Sequence, residues 1–263
     1  MINIKRCFQF ASLGLVIILL LFSWPFFGRK KLATNIAHAG GVIGDHIYTN
    51  SFDAFAENYN KGFKIFEFDI SIYDGEYVCL HTIKDVEKII SRKLKDDKLK
   101  TLITEMESAS FTMLLLEDAI KLIKKHKNIK MIFDVKAANR LAIYDELNRL
   151  LQKYNIDQRQ VIVQVFNKDE VLYAQKYFSN LLYVIWQIEN ANFIDFIKYL
   201  KKSDIKFVSI DRRSKRTIAL LNFYRILFYR ELSIIPYTVN NKKEAIFFAM
   251  LGIRSVFTDR LSP

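Results

Sequence analysis

Proline and glycine are scarce, three and eight among 263 residues, so no Pro/Gly/Ser-rich linker divides the chain and one folded domain is expected. Cysteine is scarcer still. Cys7 borders an apolar run and Cys79 falls in a predicted strand, which leaves neither a disulfide framework nor a metal-type Cys spacing. Acidic residues are the minority, 28 against 40 Lys and Arg, and the resulting net charge of +12 draws the chain toward anionic surfaces. No nucleic-acid motif accompanies that charge, so lipid or an anionic polymer is the expected partner surface. Low-complexity sequence and internal repeats are also missing.

One stretch lacks charge altogether. Residues 8–27 form an uncharged, strongly apolar run preceded by Lys5 and Arg6, long enough to cross a bilayer as a helix. The run is long for a signal-peptide core and no small-x-small cleavage site follows it, so an uncleaved N-terminal transmembrane helix is expected. Residues 1–31 are then the anchor with basic flanks, and residues 32–263 the folded domain. Arg29, Lys30 and Lys31 nearly balance the basic residues on the other side. The short tail ahead of a single anchor favours an extracytoplasmic domain on a single-pass membrane protein.

Against this background, chemically potent side chains gather in three apolar stretches: His38 in Ile36-Ala37-His38, Glu67 and Asp69 in Phe66-Glu67-Phe68-Asp69-Ile70, and His81 in Val78-Cys79-Leu80-His81. Strand side chains alternate, so Glu67 and Asp69 share one face while Phe66, Phe68 and Ile70 take the other. Two carboxylates side by side repel, and a divalent cation such as Mg²⁺ or Ca²⁺, or raised pKa values, would relieve them. Asp74-Gly75 between apolar runs signals a hairpin that returns His81 beside this strand. A two-residue loop sets His81 opposite Phe68, and a loop longer by one residue turns it toward the carboxylates.

Apolar strands near 34–39, 65–71, 130–135, 161–166, 182–186, 206–211, 233–238 and 255–259 alternate with helical stretches, the count of a (β/α)8 TIM barrel within the α/β class. Asn50 or Ser51, Asn167, Asn192 and Asn240 are candidate helix caps. Barrel enzymes gather function at the C-terminal ends of their strands, where His38, Asp69, Asp134 and Asp211 fall. Lys136 shares the face of Asp134 and suits either phosphate or an ion pair. Arg212, in a basic run after a strand end, is a candidate phosphate clamp, and Trp186 and Tyr237 at strand ends would line a substrate site or pack. His46 and His126 are read as structural. Residues 84–100 are expected to form a solvated insertion, with a lid or a membrane-facing segment as the alternatives.

These motifs resemble the glycerophosphodiester phosphodiesterase family, whose pattern is H-R-G, E-N-T, E-x-D, a D-G turn and H-D. His38-Ala39-Gly40, Asn50, Glu67-x-Asp69, Asp74-Gly75 and His81 match in order, and Asp134-Val135-Lys136, Gln164, Tyr237-Thr238 and Thr258-Asp259 continue the match. The resemblance implies a TIM-barrel phosphodiesterase with His38 and His81 as acid and base, a divalent metal on Glu67, Asp69 and Asp134, and Asn50 near substrate. Ala39, Thr49 and Thr82 stand where the family keeps arginine, glutamate and aspartate. The missing arginine, with the short tether, points to a lipid-linked or surface-polymer phosphodiester. The nearest alternatives are a sphingomyelinase D- or phospholipase D-like lyase that stops at a cyclic phosphate, and a non-catalytic barrel that binds phosphorylated lipid or polymer.

Overall fold

The computed structural model describes residues 34–136, 140–185 and 193–263. Nine strands are β1 Thr34–Ala37, β2 Ile65–Tyr73, β3 Glu76–Cys79, β4 Lys130–Val135, β5 Val161–Val165, β6 Leu181–Ile185, β7 Phe207–Asp211, β8 Ser233–Tyr237 and β9 Ser255–Thr258. The helices are α1 Phe52–Asn60, α2 Ile83–Ile89, α3 Leu99–Ser108, α4 Leu116–Lys125, α5 Arg140–Lys153, α6 Lys168–Ala174, α7 Phe193–Lys202, α8 Lys215–Phe228 and α9 Lys242–Met250. Eight parallel strands run in the order β8-β7-β6-β5-β4-β2-β1-β9, with β3 antiparallel on β2. The ring closes where Val239 N–H donates to Phe257 C=O at 2.8 Å. The predicted barrel is therefore observed, each strand within a residue or two of its expected range.

Strand alternation sorts the side chains into two cores. Phe66, Phe68 and Phe133 point outward under the helices and are fully buried, each contributing about 1.5–3 kcal/mol by burial. Ile36, Ile132, Ile162, Leu182, Ile235 and Phe257 point inward and plug the barrel. Inward positions one step further along β2 and β4 are acidic, so the plug is floored with hydrocarbon and topped with carboxylates. A third cluster, with Val86, Leu102, Met106 and Phe111 buried against Val78 and Leu80, shows that the segment after β3 is a packed helical insertion rather than a loose lid.

Local chemistry decided the caps. Ser51 caps α1, its hydroxyl accepting from Ala54 N–H at 3.1 Å, while Asn50 is taken up elsewhere. Asn167 caps α6 as expected. Asn241, not Asn240, caps α9. Among the described residues no helix is long and apolar enough to cross a membrane. The expected anchor, Asn192 and Trp186 lie outside the described residues.

Candidate active site

Parallel pairing of β2 with β4 puts Asp69 level with Asp134, and alternation places Glu67 one step below on the same inward face. The three carboxylates offer ligand atoms within 4.8 Å of one another, all buried. Glu67 Oε2 accepts from Ala39 N–H at 2.8 Å. Glu67 Oε1 and Asp134 Oδ1 are buried with no partner among the described residues. Burial, then repulsion from Asp69, pushes Glu67 up to about 8. Burial also raises Asp134, against the pull of Lys136. Orphaned oxygens in an all-oxygen donor set fit a hard divalent cation.

Lys136 provides the counter-charge within the protein. Its Nζ lies 2.5 Å from Asp134 Oδ2 and 3.1 Å from Asp69 Oδ1. Burial alone would lower its pKa, but Asp69 and Asp134 reverse that and hold it above the ordinary lysine range. The buried Asn50 spends both ends of its amide on Asp69, donating to Oδ2 at 3.0 Å and accepting from Asp69 N–H at 3.0 Å. Asn50 therefore orients a carboxylate through both its donor and its acceptor.

Both candidate histidines carry a carboxylate on Nδ1. His38, in a short turn directly after β1, makes a 2.7 Å bond to Asp259 Oδ1, and Asn240 holds the other oxygen of Asp259 at 2.7 Å. Asp259 lies below the ordinary carboxylate range: burial would raise it, but its bonds to His38 and Asn240 outweigh that. An ionised Asp259 only accepts, so His38 Nδ1 carries the proton. Nε2 then faces the carboxylates, 3.9 Å from Glu67 Oε2. Burial works against a charged His38, yet Asp259 and Glu67 raise it to about 9.

The hairpin adopts the two-residue turn, pairing Tyr73 with Glu76. Its ladder stops at Cys79, however, and the chain bends after Leu80 N–H donates to Asp69 C=O, so His81 does not face Phe68 across a strand. His81 Nδ1 instead meets Asp85 Oδ2 at 2.9 Å, four residues on, and Thr82 Oγ1 donates to the same oxygen at 2.7 Å. Thr82, standing where the resemblance expects aspartate, thus helps hold an aspartate on the following turn. Tyr48 lies between the histidines, its ring centroid 4.7 Å from His38 and 5.4 Å from His81.

The remaining predicted residues divide. Tyr237 ends β8 level with Asp211, and burial followed by the charges of Asp211 and Asp134 raises its phenol. Arg212, the candidate clamp, is held in an ion pair. Its guanidinium pairs with Glu244 on α9 at 2.8 Å, and Arg213 pairs with Asp211 two residues back. Asp259, Asp85 and Tyr48 were not singled out from sequence. The i, i+4 spacing of His81 and Asp85 was a usable signal, and Thr258-Asp259 was noted without a role; nothing in the sequence marks Tyr48.

The glycerophosphoryl diester phosphodiesterase family model matches residues 41–262, beginning three residues after His38. The chain belongs to that family, and is a phosphoric diester hydrolase of a divalent-metal-dependent group. Solved structures of glycerophosphodiester phosphodiesterases share its fold. That from Galdieria sulphuraria is 18% identical with a TM-score of 0.68, covering 88% of this chain and 96% of its own. That from Thermotoga maritima is 15% identical with a TM-score of 0.67 and the same coverage. An Oleispira antarctica phosphodiesterase, in complex with its product sn-glycerol-3-phosphate, is 16% identical with a TM-score of 0.65, covering 87% of this chain and 93% of its own. No curated protein matches the chain in sequence.

Proposed function

We propose that this chain is a membrane-anchored phosphodiesterase that cleaves a surface-polymer or lipid-linked phosphodiester, with His38 and His81 exchanging protons at Nε2. The observation that carries the acid/base part is the matched pair of Asp-bound histidines on either side of Tyr48, with His38 Nε2 beside Glu67. A carboxylate on each Nδ1 fixes the tautomer and leaves each Nε2 for the reaction. A divalent cation held by Glu67, Asp69 and Asp134 would polarise the phosphoryl oxygens. Lys136 compensates the remaining negative charge, and Asn50 keeps Asp69 turned inward.

Substrate choice follows from what is missing. Ala39 is fully buried and offers only its backbone N–H, which goes to Glu67, so the bidentate phosphate donor of the family pattern has no replacement there. Arg212 is committed to Glu244. A larger phosphodiester with contacts beyond the phosphate compensates for this loss. The polymer reading is favoured over a lipid in the anchoring leaflet, because β1 leads from the tether at Thr34 through the barrel to His38 at its far end, about 13 Å for four strand residues.

The test is turnover by the full chain on glycerophosphocholine, a lysophospholipid and a polymer-linked phosphodiester. Preferential cleavage of the polymer is expected. Preference for glycerophosphocholine contradicts the substrate reading.

A further inference from the structure

Ten large apolar side chains are exposed among the described residues, and seven of them sit on α8 and α9: Leu220, Phe223, Leu227, Phe228, Ile246, Phe247 and Met250. Apolar residues scattered singly need no explanation, but this concentration does. Leu220, Phe223 and Leu227 recur at i, i+3 and i+7 on the outer side of α8, and Ile246 and Met250 at i and i+4 on α9. The two helices are joined side by side. Lys215 lies over the Phe247 ring, Asn222 donates to Leu251 C=O at 2.8 Å, and Arg225 donates to Gly252 C=O. The exposed side chains therefore form one ridge along the barrel wall.

Both helices descend from the site end to the opposite end, so Leu227, Phe228 and Met250 lie nearest the base. The base is cationic. Lys64, Lys130, Lys206 and Arg254 immediately precede or open strands there, as the bonds Lys130 N–H to Lys64 C=O, Ser233 N–H to Lys206 C=O and Thr34 N–H to Arg254 C=O require. Arg230 lies in the connection leading to β8, and set against these cations are the carboxylates of Asp157, Asp204 and Glu231 at the same end. Among the described residues, Lys64, Lys130, Arg230 and Arg254 pair with no carboxylate, and only Lys206 does, with Asp204. The chain that precedes Thr34 joins this same end, and it holds Arg29, Lys30 and Lys31 next to the uncharged run of residues 8–27.

We propose that the α8–α9 ridge and the cationic base together seat the barrel on an anionic lipid bilayer. Aromatic and aliphatic side chains enter the headgroup boundary while the basic residues meet lipid phosphates, the pattern of an interfacial surface. The occupant is chosen by charge and by where the tether joins: the basic base and the basic residues 29–31 leading into it call for an anionic surface, which a second copy of a chain with a net charge of +12 does not supply. Seated so, the barrel turns its site end away from the lipid and over the membrane surface. The inference rests on the anchor proposed above, but adds a second, reversible contact.

The test uses the full chain with Cys7→Ser, reconstituted in vesicles, and membrane-impermeant maleimide labelling of Leu227→Cys, Met250→Cys and, as the site-end control, Lys100→Cys. Cys79 is buried and silent. Rates taken relative to the Lys100→Cys variant cancel vesicle orientation. In phosphatidylglycerol-containing vesicles, positions 227 and 250 should label about tenfold more slowly than in phosphatidylcholine vesicles, and high salt should narrow the gap. Equal rates in the two vesicle types overturn the seat, as does equal protection in detergent micelles, which would mean a second copy covers the ridge. Release of the chain by alkaline washing is read separately and overturns the anchor instead.

Discussion

His38 and Asp259 stand at the ends of neighbouring strands β1 and β9, and their 2.7 Å bond joins the two extremes of the barrel sequence at the site. Through it, Asp259 fixes both the tautomer and the charge of His38. In metal-free protein His38 should remain protonated to about pH 9, and Asp259→Asn should bring its titration back toward 6.5. A raised folded pKa gives stability fully present below the unfolded value and lost as pH rises through the folded one, so this contribution should fade between about pH 6.5 and 9. Imidazole proton chemical shifts, assigned with His38→Ala, check it.

Asp85 should position His81 in the same manner. Burial would raise this carboxyl, but bonds from His81, Lys88 and Thr82 hold it well below the ordinary range. Asp85→Asn should lower kcat by about 10- to 100-fold with little change in KM, whereas Thr82→Val should cost less because the His81 bond survives. On the stability side the sign is opposite to that of His38. A depressed carboxylate stabilises above its unfolded pKa and loses that as pH falls, so wild type and Asp85→Asn should converge below about pH 4 in thermal melts.

Lys136 and the metal should compete for the same carboxylates. Lys136→Met removes the ammonium that bridges Asp69 and Asp134 and leaves protonated His38 as the nearby cation, so the metal-free variant should melt several degrees lower, roughly 3 kcal/mol less stable. Saturating Mg²⁺ or Ca²⁺ should restore more of the melting temperature in the variant than it adds to wild type. Calorimetry with and without metal reads both. Glu67→Ala with Asp69→Ala should abolish the metal effect.

Where the chain's own periodicity set the outcome, the sequence was legible. Alternation in Phe66-Glu67-Phe68-Asp69 and the eight apolar runs foretold the barrel and the acidic face, because burial on one side and chemistry on the other leave a strand no second register. Asp74-Gly75 foretold the hairpin turn. The bend that frees His81 was not legible, since it depends on where the ladder ends against the insertion core. Nor was the fate of Arg212: a basic run after a strand looks the same in sequence whether it meets phosphate or, as here, Glu244. Tyr48 reaches its place between the histidines through a backbone with φ of 60°, a conformation that sequence does not announce for a bulky residue.

The histidines themselves should be costly to lose. His38→Ala and His81→Ala should each reduce turnover by about 10²- to 10⁴-fold in a protein that stays folded, and the wild-type rate should be bell-shaped in pH. A near-normal rate in either variant would return that histidine to a structural role.

The central claim is metal-dependent phosphodiester hydrolysis at the Glu67, Asp69 and Asp134 cluster, and its most direct test is turnover of a polymer-linked phosphodiester by the full chain before chelation, after it, and after metal is returned. Activity should vanish with the chelator and come back with Mg²⁺ or Ca²⁺. Undiminished turnover in the chelated protein would contradict the account.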